Sequence, residues 1–475
     1  VTLGGRRAAG GGCRWPIPDD PVDASRESDR RGQPARRRSG WPKRVGAVTD
    51  IFNAVEEAAT GIAEAPAEQV ESTDHPSRRS EARRRWAPSL RTGFWTWLAG
   101  LAMYAVVTFV AWVPYQGLQD TFQLEGAASP PPESALRAYE AWYQWDTVWY
   151  VIIADWGYTY DERAAAFFPL YPMLVRGVGT VLPIGTLEAA LIVSLLACLA
   201  ALVLVHRYAT DLLGPAGGRR TTFYLLAFPT GFYLAAAYNE SLFIALVVAS
   251  LYCMRKGHWW WAGALGGFAS ATRLAGVLLG VAFGYEYLRQ RGFSLRRIRL
   301  DAAAAALVPT GLAAYALYCA RTFGDPLFFL EAQRSWGRDG YQWPWTTVRQ
   351  VTDVIAQYPP LMWPDTVRNI INLATVLAVL VLLVLALVGP WRVGRDQVYV
   401  VLFAGIVIML PVVSPIHGYW WPLSSSWRFV LECLPVFLVL ARMGRDPRFD
   451  RIYLAAALAL QGAMIVTFVQ GRFVA

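Results

Sequence analysis

Trp145-Asp146-Thr147-Val148-Trp149-Tyr150, then Ile153-Ala154-Asp155-Trp156-Gly157-Tyr158, then Phe167-Phe168-Pro169-Leu170-Tyr171-Pro172, is the stretch on which the reading of this chain turns. It lies within residues 145–176, after the first strongly apolar segment and before a long series of others. It gathers Asp146, Asp155, Asp161 and Glu162, with Arg163 and many aromatic rings, at what the surrounding pattern makes a membrane surface. Apolar helices alone do not require such a loop. It reads as the working part, and the helices as its scaffold.

Working outward, the chain has 475 residues, 55% of them hydrophobic and 17% charged. A soluble domain carries about 25% charge. The charges crowd into the segment before Arg91 and into short loops. Beyond it run apolar blocks of roughly 16–22 residues, each about long enough to cross ~30 Å of hydrocarbon. The blocks are continuous and lack period-two alternation, which excludes a β-barrel. The predicted fold class is an all-α polytopic membrane protein. Spans are expected over 94–115, 187–206, 222–237, 241–254, 259–288, 302–320, 370–388, 398–413, 427–441 and 452–469. The 259–288 block is expected to hold two helices, breaking near 270–273, which makes about eleven transmembrane helices. Residues 167–183 are apolar but short and contain Pro169, Pro172, Pro183 and Arg176. They read as an interfacial or re-entrant segment.

The net charge of +9 does not point to nucleic acid. Arg-rich loops at 207–220, 255–256, 289–299, 392–395 and 442–451 alternate with acid- and aromatic-containing ones. The positive-inside rule then makes the Arg-rich side cytoplasmic. Residues 1–92 are expected to be a disordered, basic cytoplasmic tail, apart from a short helix near 48–59. Residues 93–475 form the transmembrane domain. The chain opens on Val1, so an alternative start codon is one reading, in which part of the tail is not translated. The tail lacks the basic–apolar–cleavage pattern of a signal peptide. The five Cys and four His show no metal-ligand spacing, so neither a metal nor another cofactor is expected.

Four residues stand out chemically. Asp146 sits among aromatics at the membrane face, where it could act as a general base or simply cap a helix. Glu240, in Tyr238-Asn239-Glu240-Ser241, has the same two readings. Arg273 lies inside the longest apolar block, where a charge is expensive and usually faces a cavity or a partner. A phosphate suits its planar fork, and snorkelling from a helix break is the alternative. Arg428 resembles it, opening a span after the outer 420–426 loop. Arg334 and Arg338 lie in another outer loop.

Together these segments resemble the PIG-V-type mannosyltransferases, a family of GT-C membrane glycosyltransferases. The likeness is carried by Trp145-Asp146 with Trp149-Tyr150, by Gly157-Tyr158 and by Phe167-Phe168-Pro169-Leu170-Tyr171-Pro172. It continues in Tyr238-Asn239-Glu240-Ser241, in Ser270-Ala271-Thr272-Arg273-Leu274-Ala275-Gly276, and in Arg428-Phe429 with Pro435. The chain departs from the eukaryotic pattern at Tyr160-Asp161-Glu162-Arg163, where those members tend to carry an acid-His pair.

The resemblance implies a GT-C-type glycosyltransferase fold with a catalytic first outer loop. It implies transfer of mannose from a polyprenyl-phosphate-mannose donor to a lipid, glycan or protein acceptor, with inversion, on the non-cytoplasmic face of the cell membrane. Asp146 would be the base, with Glu240 as second catalytic acid. Trp145, Tyr150, Asp155, Tyr158, Arg273 and Arg428 would bind substrate, the two Arg at the phosphate. Two alternatives remain at this stage. One is a GT-C transferase for another sugar or a protein acceptor. The other is a polytopic lipid or solute transporter, which predicts internal repeats with paired broken helices.

Overall fold

The computed structural model describes residues 78–112, 135–358, 363–417 and 421–474. The expected tail over 1–77, with its short helix near 48–59, and Trp420 lie outside the described residues. In chain order the α-helices are α1 (Arg78–Trp112), α2 (Asp146–Trp156), α3 (Leu170–Val181), α4 (Thr186–Ala227), α5 (Glu240–Arg255), α6 (Trp259–Ser270) and α7 (Leu279–Gln290). There follow α8 (Thr310–Phe323), α9 (Phe328–Arg334), α10 (Pro344–Gln357), α11 (Pro364–Leu387), α12 (Val398–Val413), α13 (Ser426–Phe429), α14 (Leu434–Met443) and α15 (Pro447–Val469). Short 3-10 turns join several of them, and no strand occurs among the described residues.

Among the described residues, five helical segments are long and apolar enough to cross a membrane, or six if the bent pair Leu300–Leu307 and Thr310–Phe323 is one span. The remaining expected spans correspond to shorter or broken helices. The reason is local chemistry. α4 departs from helical geometry at Gly214 (φ 77°), and Pro215 cannot continue the hydrogen-bond ladder across that point. This is within the Arg-rich 207–220 region expected to separate two spans. The 259–288 block breaks after Ser270, with Arg273 extended (φ −154°, ψ 148°) before a 3-10 turn, Leu274–Leu278. Gly276 makes that break possible, because a Cβ there would lie 2.3 Å from the Ala269 carbonyl carbon. α6 in turn packs on the 300–311 segment through Gly263 and Gly267, whose added Cβ atoms would meet the carbonyl oxygens of Ala304 and Leu307 at 2.1 and 2.6 Å. Small residues spaced by four are the usual device for close helix approach inside a membrane.

α1 and α11 are peripheral, with 28% of each apolar window buried, against 61% for α4. Their uncovered faces are apolar, Val106, Val110, Val381 and Val384 among them, as lipid contact requires. The main core lies between α1, α4, α5, α12, α14 and α15.

One boundary needs correcting. Residues 78–92, expected in the disordered tail, form the start of α1. Tertiary contacts hold them: Arg207 Nη1 donates to the Arg85 carbonyl at 2.8 Å, and His206 Nδ1 meets Ser89 Oγ at 2.9 Å in a buried contact. Composition alone shows no such partners. Within 167–183, Tyr171, Pro172 and Val175 of α3 are buried, while Met173 and Val181 are exposed.

Candidate active site

Asp146, Glu240, Arg273 and Arg428 come together from four separate parts of the chain. Asp146 is the first residue of α2. The N-cap is Trp145, in a strained positive-φ conformation (φ 52°), and no side chain caps the helix. The capping alternative for Asp146 therefore fails. Its carboxylate instead accepts from Arg428 Nη2 at 2.8 Å. Its backbone N–H donates to the Tyr238 hydroxyl at 3.3 Å, and that hydroxyl donates to the Gln144 carbonyl at 3.2 Å. The hydroxyl thus ties the turn before α2 to the turn before α5.

Glu240 opens α5 and is completely buried. Its Oε1 accepts from Arg428 Nε at 3.0 Å and from Arg273 Nη1 at 3.3 Å, and also contacts Arg428 Nη2. Asn239 does not cap α5; it donates through Nδ2 to the Thr272 carbonyl at 2.9 Å, fixing the α6–α7 break beside α5. Arg428 lies with its guanidinium carbon 4.8 Å from the ring centroids of both Tyr233 and Tyr238. Arg273 packs against the rings of Phe429 and Phe243 at 5.3 and 5.7 Å. These flanking rings exclude water and leave the carboxylates as the dominant partners of both cations.

A fifth member is Glu432, which sequence reasoning missed. It ends the 3-10 turn Val430–Glu432 between α13 and α14 and is buried. Its Oε1 lies 2.8 Å from Arg273 Nη1, but off the N–H direction, so the contact is ionic rather than a hydrogen bond. On its other side is a small cavity lined by Phe243, Val247, Leu431 and Phe437. A signal was available: Glu432 is an acid within the predicted 427–441 span, four positions after Arg428, where an ionisable group rarely stands without a partner.

All five residues sit at helix ends or breaks. Non-helical backbone at membrane depth is tolerated where protein buries it or where it lines a cavity, and here it carries the charges. Exposure separates their roles. The Asp146 side chain is 30% exposed, Arg273 17%, and Glu240 and Glu432 0%. Asp146 is the most exposed of the three acids. Glu240, expected as a second catalytic acid, is enclosed between the guanidiniums of Arg273 and Arg428.

Two expected site residues lie elsewhere. Asp155 is nine positions after Asp146 on α2, roughly 13 Å along the axis, and accepts the Thr186 hydroxyl at 2.5 Å. Tyr158 is buried in a separate aromatic cluster with Tyr315 and Phe168, its hydroxyl donating to the Phe167 carbonyl at 2.8 Å. Tyr150 is buried one turn along from Asp146, against Phe167 and Tyr171. The Trp145 ring meets Phe473 edge-on at 5.2 Å.

Outer-loop groups close over α2. Arg163 lies over the Trp149 ring at 5.2 Å. It also donates to Asp161 through Nη2 at 2.7 Å, which holds the Asp161 carboxyl below its usual range. Trp336 donates through Nε1 to the Arg163 carbonyl at 3.2 Å and packs on Trp149 at 5.1 Å. Among the described residues, no group of three or more His, Cys, Asp or Glu is arranged to hold a metal ion.

The fold and this cluster define a class: a helical, multi-pass membrane protein with a charged centre at the breaks of its helices. Within that class, residues 128–308 match the family described as Mannosyltransferase (PIG-V), to which this part of the chain is similar. It is 30% identical over 169 residues to GPI alpha-1,6-mannosyltransferase 2 of Rattus norvegicus, covering 33% of this chain and 34% of the relative. It is 31% identical over 162 residues to the Cricetulus griseus protein of that name, covering 32% of each. The match thus spans about a third of these curated relatives. Among solved structures, it is similar to ArnT from Cupriavidus metallidurans bound to undecaprenyl phosphate, with 15% identity, a TM-score of 0.46, and 76% of this chain and 62% of that one covered. It is similar also to the Archaeoglobus fulgidus oligosaccharyltransferase, with 12% identity, a TM-score of 0.37, and 78% and 53% covered.

Proposed function

We propose that this chain is a GT-C-type membrane mannosyltransferase that moves mannose from a polyprenyl-phosphate-mannose donor to an acceptor hydroxyl on the non-cytoplasmic face. The observation that carries the reading is the partly exposed Asp146 carboxylate, anchored on one side by Arg428 at 2.8 Å. One oxygen is held, and the group remains accessible to an incoming hydroxyl. The likeness to mannosyltransferases over residues 128–308 supports the choice of sugar.

In the proposed reaction, Asp146 takes the proton of the acceptor hydroxyl as that oxygen attacks the anomeric carbon. The bond from that carbon to the phosphate oxygen breaks on the opposite face, which inverts the configuration. The polyprenyl phosphate leaves with the bonding electron pair. General-base assistance of this kind contributes about 10²–10⁴-fold. Arg428 and Glu240 position Asp146, and Glu432 and Glu240 position Arg273. Fixed cations near the departing phosphate need no reorganisation as its charge grows.

The test is incubation of the purified full chain, in lipid nanodiscs, with labelled polyprenyl-phosphate-mannose and a membrane extract as acceptor source, followed by analysis of the product. Formation of a mannosylated product with inverted anomeric configuration supports the reading. Donor left intact under conditions where the protein is folded overturns it.

A further inference from the structure

Trp145, the residue before Asp146, stands at φ 52°, ψ −116°. A residue other than glycine adopts such a backbone at a cost, and keeps it only where its surroundings over-determine it. Hydrogen bonds fix the two flanking residues: Gln144 N–H donates to the Trp142 carbonyl at 2.9 Å, and Asp146 N–H to the Tyr238 hydroxyl at 3.3 Å. The Trp145 ring is held differently. Its indole Nε1 is buried and has no hydrogen-bond partner among the described residues. The ring is placed by packing, with Phe473 edge-on to it at 5.2 Å.

Phe473 is itself fixed from two sides. The chain leaves α15 through Gly471, at φ 76°. Gly471 N–H donates to the Phe468 carbonyl at 2.9 Å, and Arg472 N–H to the Thr467 carbonyl at 3.1 Å. This pair of bonds across a left-handed glycine turns the chain sharply off the helix. The turn has a firm base, because Phe468 is completely buried and packs on Trp142 at 5.7 Å, Tyr233 at 5.6 Å and Tyr238 at 6.2 Å. Tyr233 and Tyr238 are the rings that flank Arg428. From α11, Arg368 donates through Nη2 to the Phe473 carbonyl at 3.0 Å. Its guanidinium carbon lies 4.2 Å from the Trp421 ring centroid and 5.7 Å from that of Phe473. Trp421 stacks on Phe473 at 6.3 Å and donates through Nε1 to Asp365 at 2.8 Å.

We infer that Phe473 is a positioning residue for Asp146: it packs the Trp145 ring into place, and the positive-φ turn at Trp145 aims the Asp146 carboxylate. Arg368 and Trp421 hold Phe473 for that task. The inference rests on the proposed function for what Asp146 does once aimed. Arg428 grips the carboxylate, and the segment after α15 sets the backbone that carries it. Without the Phe473 ring, Trp145 relaxes toward an ordinary backbone conformation and the first turn of α2 moves with it. A displacement of about 1 Å can cost ~10²-fold in rate.

The test combines amide hydrogen exchange with transfer kinetics on the purified full chain in nanodiscs. The proteins are wild type, Phe473→Ala, Phe473→Tyr, Arg472→Ala, Asp146→Asn and the double variant Phe473→Ala with Asp146→Asn. Phe473→Ala is expected to speed exchange of the amides of residues 146–148 about two- to tenfold, the worth of one edge-on aromatic pair. Its kcat should fall at least about tenfold with donor KM nearly unchanged. Phe473→Tyr keeps the ring, and Arg472→Ala alters an exposed neighbour; both should match wild type in exchange and in kcat. In the Asp146→Asn background Phe473→Ala should lower the rate no further, because it acts through Asp146. Phe473→Ala with the exchange or the kcat of wild type overturns the inference. So does a fall in kcat of the same size in the Asp146→Asn background, which would make Phe473 a general packing residue. If Asp146→Asn alone transfers normally, the proposed reaction falls and exchange decides: faster exchange at 146–148 in Phe473→Ala upholds the hold of Phe473 on the start of α2, and unchanged exchange removes it.

Discussion

Arg428 and Asp146 are 282 residues apart in the chain, and their side chains meet at 2.8 Å. The same guanidinium donates through Nε to Glu240 at 3.0 Å. One fork therefore fixes a reachable carboxylate on α2 against a buried one on α5. A planar five-donor group can serve both acids at once, whereas an ammonium cannot reproduce the fork.

Arg428→Lys should accordingly keep the charge and lose the geometry. We expect transfer to fall at least about tenfold, chiefly in kcat, because Asp146 is no longer held where the acceptor arrives. Donor KM should change little. The check is steady-state transfer at several donor concentrations. A raised KM with normal kcat would assign Arg428 to donor binding instead.

Glu432→Gln removes the charge that faces Arg273 at 2.8 Å and leaves the cation with Glu240 alone. Losing one partner of a buried ion pair costs on the order of 3–5 kcal/mol, so the thermal midpoint in nanodiscs should drop clearly. Replacing Asp155, which is exposed and touches Thr186, should leave both midpoint and transfer close to wild type. Equal losses in the two variants would mean that the cluster has no special place in the fold.

These contrasts mark what the sequence disclosed. Asp146, Glu240, Arg273 and Arg428 were legible because each is a charge set in apolar or aromatic surroundings, where something must compensate it. Asp155 and Tyr158 were misplaced because closeness along a motif is not closeness in space. α2 carries Asp155 away from the cluster, and Tyr158 turns into a different aromatic core. Glu432 was legible as an acid four positions after Arg428 in an otherwise apolar span, but its partner, Arg273, lies far away in the chain. The break at Arg273 was legible, whereas the early start of α1 rests on Arg207 and His206, far along the chain.

Truncation should separate the two parts of the N-terminal segment. Removing residues 1–77 should leave transfer nearly intact, since their composition builds no core. Removing residues 1–92 also deletes Arg85 and Ser89, which Arg207 and His206 hold, and should lower the midpoint. Loss of transfer by the shorter truncation at normal membrane level would give the tail a role of its own.

The orientation can be read by cysteine labelling from outside. We expect a Cys placed at Trp343 to react and one at Arg297 to stay protected, because Arg297 belongs to the Arg-rich side. The reverse pattern would put the charged centre on the cytoplasmic face.

The most direct measurement is the transfer rate of Asp146→Asn at saturating donor, with donor affinity and membrane level measured in parallel. Asn keeps the shape and can still accept from Arg428, but it takes no proton. The account predicts a rate lower by about 10²–10⁴-fold with donor affinity nearly unchanged. A near-normal rate would contradict it and take Asp146 out of the reaction.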